Sequence, residues 1–189
     1  MSGRNTLIRS LHDVGLAAWF GGSLMGAVGL NGAAKDEGAT DTAGARIASS
    51  GWSKWAPVNA AAIGAHLFGG GGLLAVNAHR VAKQKGVAAS TTAKTAVTAA
   101  ALAATAYARV LGKKIELSSS SDPQDAEKAA QHPVDVDKAR RQLACVQWAV
   151  PALTGCLVVL NALHGEQQRP FEQLHGMWEH ARSVTPLIP

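Results

Sequence analysis

Histidines are the side chains of this sequence with the clearest capacity for chemistry, and their positions relative to its apolar runs are informative. His12 precedes a charge-free run over residues 14–34, His79 ends a second run, and His164 lies at the end of the last one. If helices through these runs alternate in direction, the three imidazoles lie on one face, where they could bind a metal such as copper. The plainer interpretation is that they mark helix ends, where polar side chains remain near water.

His66 is a different case because it lies near the middle of an apolar run. An ionisable side chain at such a depth is costly in a membrane and is a candidate functional group. It could bind haem b or a quinone, since haem iron takes a histidine ligand. A bis-histidine haem needs a second histidine at this depth, and we expect the other helices to provide none. The alternative is a packing role, with a hydrogen bond to Ser23 or Thr154.

Four helices must position these histidines. Three runs are long enough to cross the hydrocarbon, which takes about 20 apolar residues. A fourth run is weaker, being built from Ala and Thr, and spans only if Lys94 and Arg109 extend outward from its ends. The sequence predicts an all-α integral membrane four-helix bundle, with spans at 12–34, 55–79, 90–111 and 142–164.

Two other interpretations of the apolar runs remain open. An Ala-rich soluble bundle would need a charged face on each helix, and the first and last runs have none. A cleaved signal peptide would use Arg4 and Arg9 as its basic start, but the first run is longer than the usual apolar core of such a peptide.

The segments between and after the spans are polar. Residues 112–141 are predicted to form a polar loop and residues 165–189 a short cytoplasmic tail. The chain carries a net charge of +5. The distribution of Lys and Arg slightly favours cytoplasmic termini in the plasma membrane. A basic patch interleaved with aromatic residues would indicate nucleic-acid binding, and we find none in the sequence.

Small residues recur at four-residue spacing in three of the predicted spans. In lipid, such stripes let helices approach closely, because dispersion and close packing replace the hydrophobic drive. They predict a tight bundle, or docking against another membrane protein. The stripes comprise Ala18, Gly22 and Gly26; Ala61, Ala65 and Gly69; and Ala100, Ala104 and Ala108.

The first span carries a resemblance to a known family. Leu11-His12, followed by Trp19-Phe20-Gly21-Gly22, resembles the first helix of copper-resistance-D-like bacterial membrane proteins, which implies copper handling. Taken whole, the chain is similar to uncharacterised Ala-rich membrane proteins of high-GC actinobacteria. That similarity is carried by the stretches "GWSKWAPVNAAAIGAHLFGG", "ARVLGKKIE" and "GEQQRP", and it implies no activity.

The sequence contains no phosphate-binding loop, zinc-protease motif or serine-hydrolase elbow. We therefore expect a non-catalytic accessory or scaffold subunit, with the lipid bilayer and other membrane subunits or a second copy as its partners. The alternatives are a haem-, quinone- or copper-binding protein that uses the histidines, and a small transporter with a path past Ser23, His66 and Thr154.

Overall fold

The computed structural model describes residues 5–83, 85–120 and 122–166, without the side chains of 79–87 and 164–166. The described chain is helical between short turns and has no strand. Its elements are α1 (Thr6–Met25), a π-helical turn (Gly26–Leu30), α2 (Asn31–Glu37), α3 (Asp41–Lys83), α4 (Lys85–Ser119), α5 (Pro123–Gln131) and α6 (Val136–Glu166).

Four stretches are long and apolar enough to cross a membrane, which confirms the predicted all-α four-helix class. Within hydrocarbon the backbone must satisfy its own hydrogen bonds, and a helix does so within one segment. Alanine, the residue most favourable to helix, is abundant in all four. By length and composition these stretches are Thr6–Glu37, Asp41–Ala78, Ala88–Ser119 and Val136–Leu163.

The four long helices run alternately up and down. The most extensive contacts join α1 to α3 and α4 to α6, and the two pairs meet through α1 with α6 and α3 with α4. Trp19 is fully buried where the pairs meet, packed with Ala101 and Val150. Its indole Nε1 donates to Thr105 Oγ1 at 3.2 Å, so one α1 side chain contacts the opposite pair by both packing and a hydrogen bond.

The predicted polar loop at 112–141 is largely helical instead. Helix α4 continues to Ser119, and a second small core of Leu111, Ile115 and Ala139 joins it to the start of α6. Asp122 caps α5 by accepting from the backbone N–H of Gln124 at 2.8 Å. An apolar contact and a side-chain cap thus order residues whose composition is typical of a loop. The predicted tail at 165–189 lies outside the described residues apart from the backbone of 165 and 166.

Candidate functional site

The structure brings His12 and His66 together in a reciprocal contact between α1 and α3. His12 Nδ1 lies 2.9 Å from the His66 carbonyl oxygen, and His66 Nδ1 lies 3.0 Å from the His12 carbonyl oxygen. The rings stack with centroids 4.1 Å apart and an interplanar angle of 18°. Because a carbonyl oxygen only accepts, both Nδ1 atoms carry the proton. Each imidazole is therefore committed to the backbone of the other helix.

Glycines make this contact possible. A Cβ atom on Gly15 would lie 2.5 Å from the Ala62 carbonyl oxygen and 2.5 Å from the His66 backbone nitrogen. A Cβ on Gly69 would lie 2.7 Å from the Ile8 carbonyl oxygen and 2.5 Å from the His12 backbone nitrogen. Each glycine follows its own histidine by three residues and meets the other histidine. The two His-x-x-Gly segments, residues 12–15 and 66–69, thus pack about a local twofold axis.

The sequence prediction for His66 is wrong in two respects. Its hydrogen bond goes to His12 rather than to Ser23 or Thr154, whose hydroxyls instead donate to the Phe20 and Val150 carbonyl oxygens. A second histidine does lie beside it, because the antiparallel register of α1 and α3 aligns residue 12 with residue 66. The repeated His-x-x-Gly pattern is the sequence signal that could have revealed this pairing.

The stacked geometry limits what this pair can coordinate. A bis-histidine haem lies between two imidazoles that both point a nitrogen at the iron, whereas these rings face each other at 4.1 Å. His66 is only 2% exposed, and Trp19 lies beside it in a T-shaped arrangement with ring centroids 6.1 Å apart. The side chains of His79 and His164 lie outside the described part of the chain, so His12 is the member of the predicted cluster whose side chain is placed.

The predicted small-residue stripes lie in different environments. Gly22 and Gly26 meet the rings of Trp55 and Trp52, each closer to an added Cβ than a real contact allows. Ala104 packs against the core cluster around Trp19. Ala18, Ala65 and Ala108 are half-buried, Gly69 is buried against His12, and Ala61 and Ala100 are exposed.

A cleft of about 930 Å³ lies among α3, α4 and α6, with Ser23 of α1 at its inner end. Its inner part is lined by Trp55, Asn59, Thr105 and Val150. Its outer part carries charge, from Arg46, Arg109, Arg140, Glu116 and Asp125. This volume falls within the range typical of small-molecule sites, about 300–1,000 Å³.

Hydrogen bonds hold the polar wall of this cleft in place. Trp52 Nε1 donates to Asn31 Oδ1 at 2.9 Å, and Asn31 Nδ2 donates to Gln147 Oε1 at 2.9 Å. Ser49 Oγ donates to Glu116 Oε2 at 3.0 Å. The first chain of bonds joins α2, α3 and α6, and the Ser49 bond joins α3 to α4.

The outward faces of the long helices differ in composition. On α1, α3 and α6 they include large apolar side chains such as Met25, Phe68 and Val159. From residue 89 to 106, every exposed residue of α4 is Ala or Thr, including Ala96, Ala99, Ala103 and Ala106. Within this segment helix α4 presents a small-residue face, which we call the α4 outer face; beyond it the exposed residues Tyr107 and Val110 are large.

Comparisons with protein-family models, with curated protein sequences and with solved structures returned no match. Function must therefore be argued from the residues and their geometry.

Proposed function

We propose that this protein is a non-catalytic membrane subunit that assembles with another membrane-embedded helix through the α4 outer face. The partner helix belongs either to a larger membrane complex or to a second copy of this chain. The observation that carries the proposal is the run of exposed Ala96, Ala99, Ala103 and Ala106 on a helix that is apolar enough to span a membrane.

The contrast with the other helices supports an assembly role for α4. Large apolar side chains gain from lipid contact, and α1, α3 and α6 expose them, whereas the described side chains of α4 include none exposed before Tyr107 and Val110. Alanine gains little from lipid but lets two backbones approach closely, so dispersion and packing favour a helix partner there. The span containing α4 is also the least apolar of the four and the least buried within the bundle.

The internal bonding of the polar groups supports packing roles for them rather than cofactor or transport chemistry. His12 and His66 are bonded to each other's backbone. Thr154, fully buried, donates to a carbonyl oxygen of its own helix. These contacts stabilise the bundle, which leaves its outer surface as the place where a subunit would meet partners.

A bulky substitution on the α4 outer face tests the proposal. Ala103→Trp should prevent close helix approach and release the chain from its assembly, seen as a smaller particle on native electrophoresis after mild extraction. The matched control is Val159→Trp on the lipid-facing side of α6, where Val159 is 58% exposed. We expect it to leave the particle unchanged.

The same electrophoresis can also disprove the proposal. If the wild-type chain migrates as a single copy, or if both variants assemble like wild type, the α4 outer face has no partner and the proposal is wrong.

A further inference from the structure

The cleft has features of a ligand site that the assembly proposal does not use. Buried polar atoms normally have hydrogen-bond partners, yet Trp55 Nε1 and Asn59 Oδ1 are buried in the described structure without one. Both side chains line the cleft, one helical turn apart on α3. The site therefore has one donor and one acceptor that nothing in the described chain satisfies.

The charge of the cleft selects for an anion. Its two carboxylates are already paired, Glu116 with Lys113 at 2.7 Å and Asp125 with Lys128 at 3.7 Å. Those are the ion pairs within the described residues, and none includes the three cleft arginines. Guanidinium groups bind phosphate and carboxylate oxygens in a bidentate geometry. The arginines are Arg46, Arg109 and Arg140.

The tryptophans of the cleft indicate the depth of lipid headgroups. Trp52 and Trp55 stand at the start of the apolar run of α3, where aromatic side chains mark the membrane interface. The Ser49–Glu116 bond fixes the register of α3 against α4. Trp55 follows Ser49 on α3 by six residues, and Arg109 precedes Glu116 on α4 by seven. At a rise of 1.5 Å per residue, both therefore lie about 10 Å closer to the membrane centre than that bond. The backbones of Trp55 and Arg109 are therefore at one level.

We propose that this cleft binds an anionic phospholipid from the surrounding bilayer. The phosphate accepts hydrogen bonds from Arg109, Arg140 and the Trp55 indole, while Arg46 adds positive charge at the outer end. A headgroup hydroxyl donates to Asn59 Oδ1. Basic pockets between membrane helices at the headgroup level are suited to such lipids.

The test uses the full chain purified in a neutral detergent and analysed by native mass spectrometry. Phosphatidylglycerol is titrated against phosphatidylcholine, which has the same phosphate but a compensating cation. We expect phosphatidylglycerol to be retained preferentially as one bound lipid. Arg140→Gln should weaken it about fivefold, the effect of one cationic side chain near a membrane surface.

Adjacent and conservative variants serve as controls. Arg141→Gln makes the same change of charge one residue along α6, but Arg141 is exposed and does not line the cleft. It should bind lipid like wild type. Trp55→Phe keeps an aromatic ring, removes the N–H and should weaken binding, whereas Trp148→Phe on the exposed side of α6 should not.

Three results would overturn the proposal: equal retention of both lipids, equal losses in Arg140→Gln and Arg141→Gln, or displacement of the lipid by millimolar inorganic phosphate. The last would identify a site for a small free anion instead. Arg46→Gln separates lost binding from misfolding, because Arg46 is exposed. This variant should bind the lipid more weakly while its helical circular dichroism stays unchanged. None of these results bears on the α4 outer face.

Discussion

At the scale of single residues, the contact between α1 and α3 depends on a histidine and a glycine on each helix. The imidazole ring makes the hydrogen bond, and the glycine has no side chain to obstruct it. Each histidine bonds a carbonyl oxygen that the other helix's backbone presents, and each glycine leaves room for that approach. In a low-dielectric medium an unpaired imidazole N–H would be costly, so the bonds favour this one register of the two helices.

Two glycines of α3 give a sharp test of this packing. Gly69→Ala should destabilise the protein by about 1–3 kcal/mol, the usual cost of overpacking, because the new Cβ meets backbone atoms that cannot move aside. Gly71→Ala, two residues along, meets nothing within 4 Å and should be neutral or stabilising by up to about 1 kcal/mol. Thermal unfolding in detergent distinguishes them, and equal effects of the two substitutions would contradict the close contact at Gly69.

The histidine assignment has its own test at position 66. Asparagine can place an amide donor near the position of Nδ1, whereas leucine cannot. His66→Leu should lower the free energy of unfolding by about 0.5–1.5 kcal/mol for the lost bond to the His12 carbonyl oxygen, which keeps its helical N–H partner within α1. His66→Asn should lower the free energy of unfolding by less than His66→Leu does, because its amide can still donate the bond. If instead the native protein has a haem absorption band that both variants abolish, the histidine has a cofactor role.

At the scale of elements, helices extend beyond the predicted spans. Residues 112–119 and 123–131 have loop-like composition, but packing against α6 and a capping side chain make them helical. Apolar-run length identifies the part of a helix that lies in lipid. It carries no information on how far the helix continues into water, where caps and a few apolar contacts decide.

The cap of α5 is directly testable. Asp122→Ala removes the acceptor for the Gln124 backbone N–H and should cost α5 about 1 kcal/mol. Hydrogen exchange should therefore quicken over residues 123–131, where no residue is buried, and remain unchanged within α6. Unaltered exchange across α5 in the variant would mean that the cap does not hold this helix.

At the scale of the whole molecule, three charge-free runs and one weaker run of Ala and Thr were sufficient to predict four helices, since a membrane span needs only length and apolarity. The helix-to-helix register was not predictable in the same way. Small residues occur on every face of these helices, and composition does not say which face meets a neighbour. Gly15 and Ala62 make contacts that the predicted stripes omit, while Ala61 and Ala100 are exposed. The cleft likewise depends on side chains from α1, α3, α4 and α6 that only the fold brings together.

The central claim, that the α4 outer face contacts another membrane helix, is tested most directly by cross-linking within the native membrane. Cysteine would be introduced at Ala103, or at Val159 as the lipid-facing control, in a Cys145→Ser/Cys156→Ser background that removes the exposed native thiols. A short cysteine-reactive photo-cross-linker should join position 103 to one discrete polypeptide and position 159 to none, and the product mass distinguishes a second 19.4 kDa chain from a different subunit. A lack of cross-linked product at position 103, or the same products at both positions, would contradict the account.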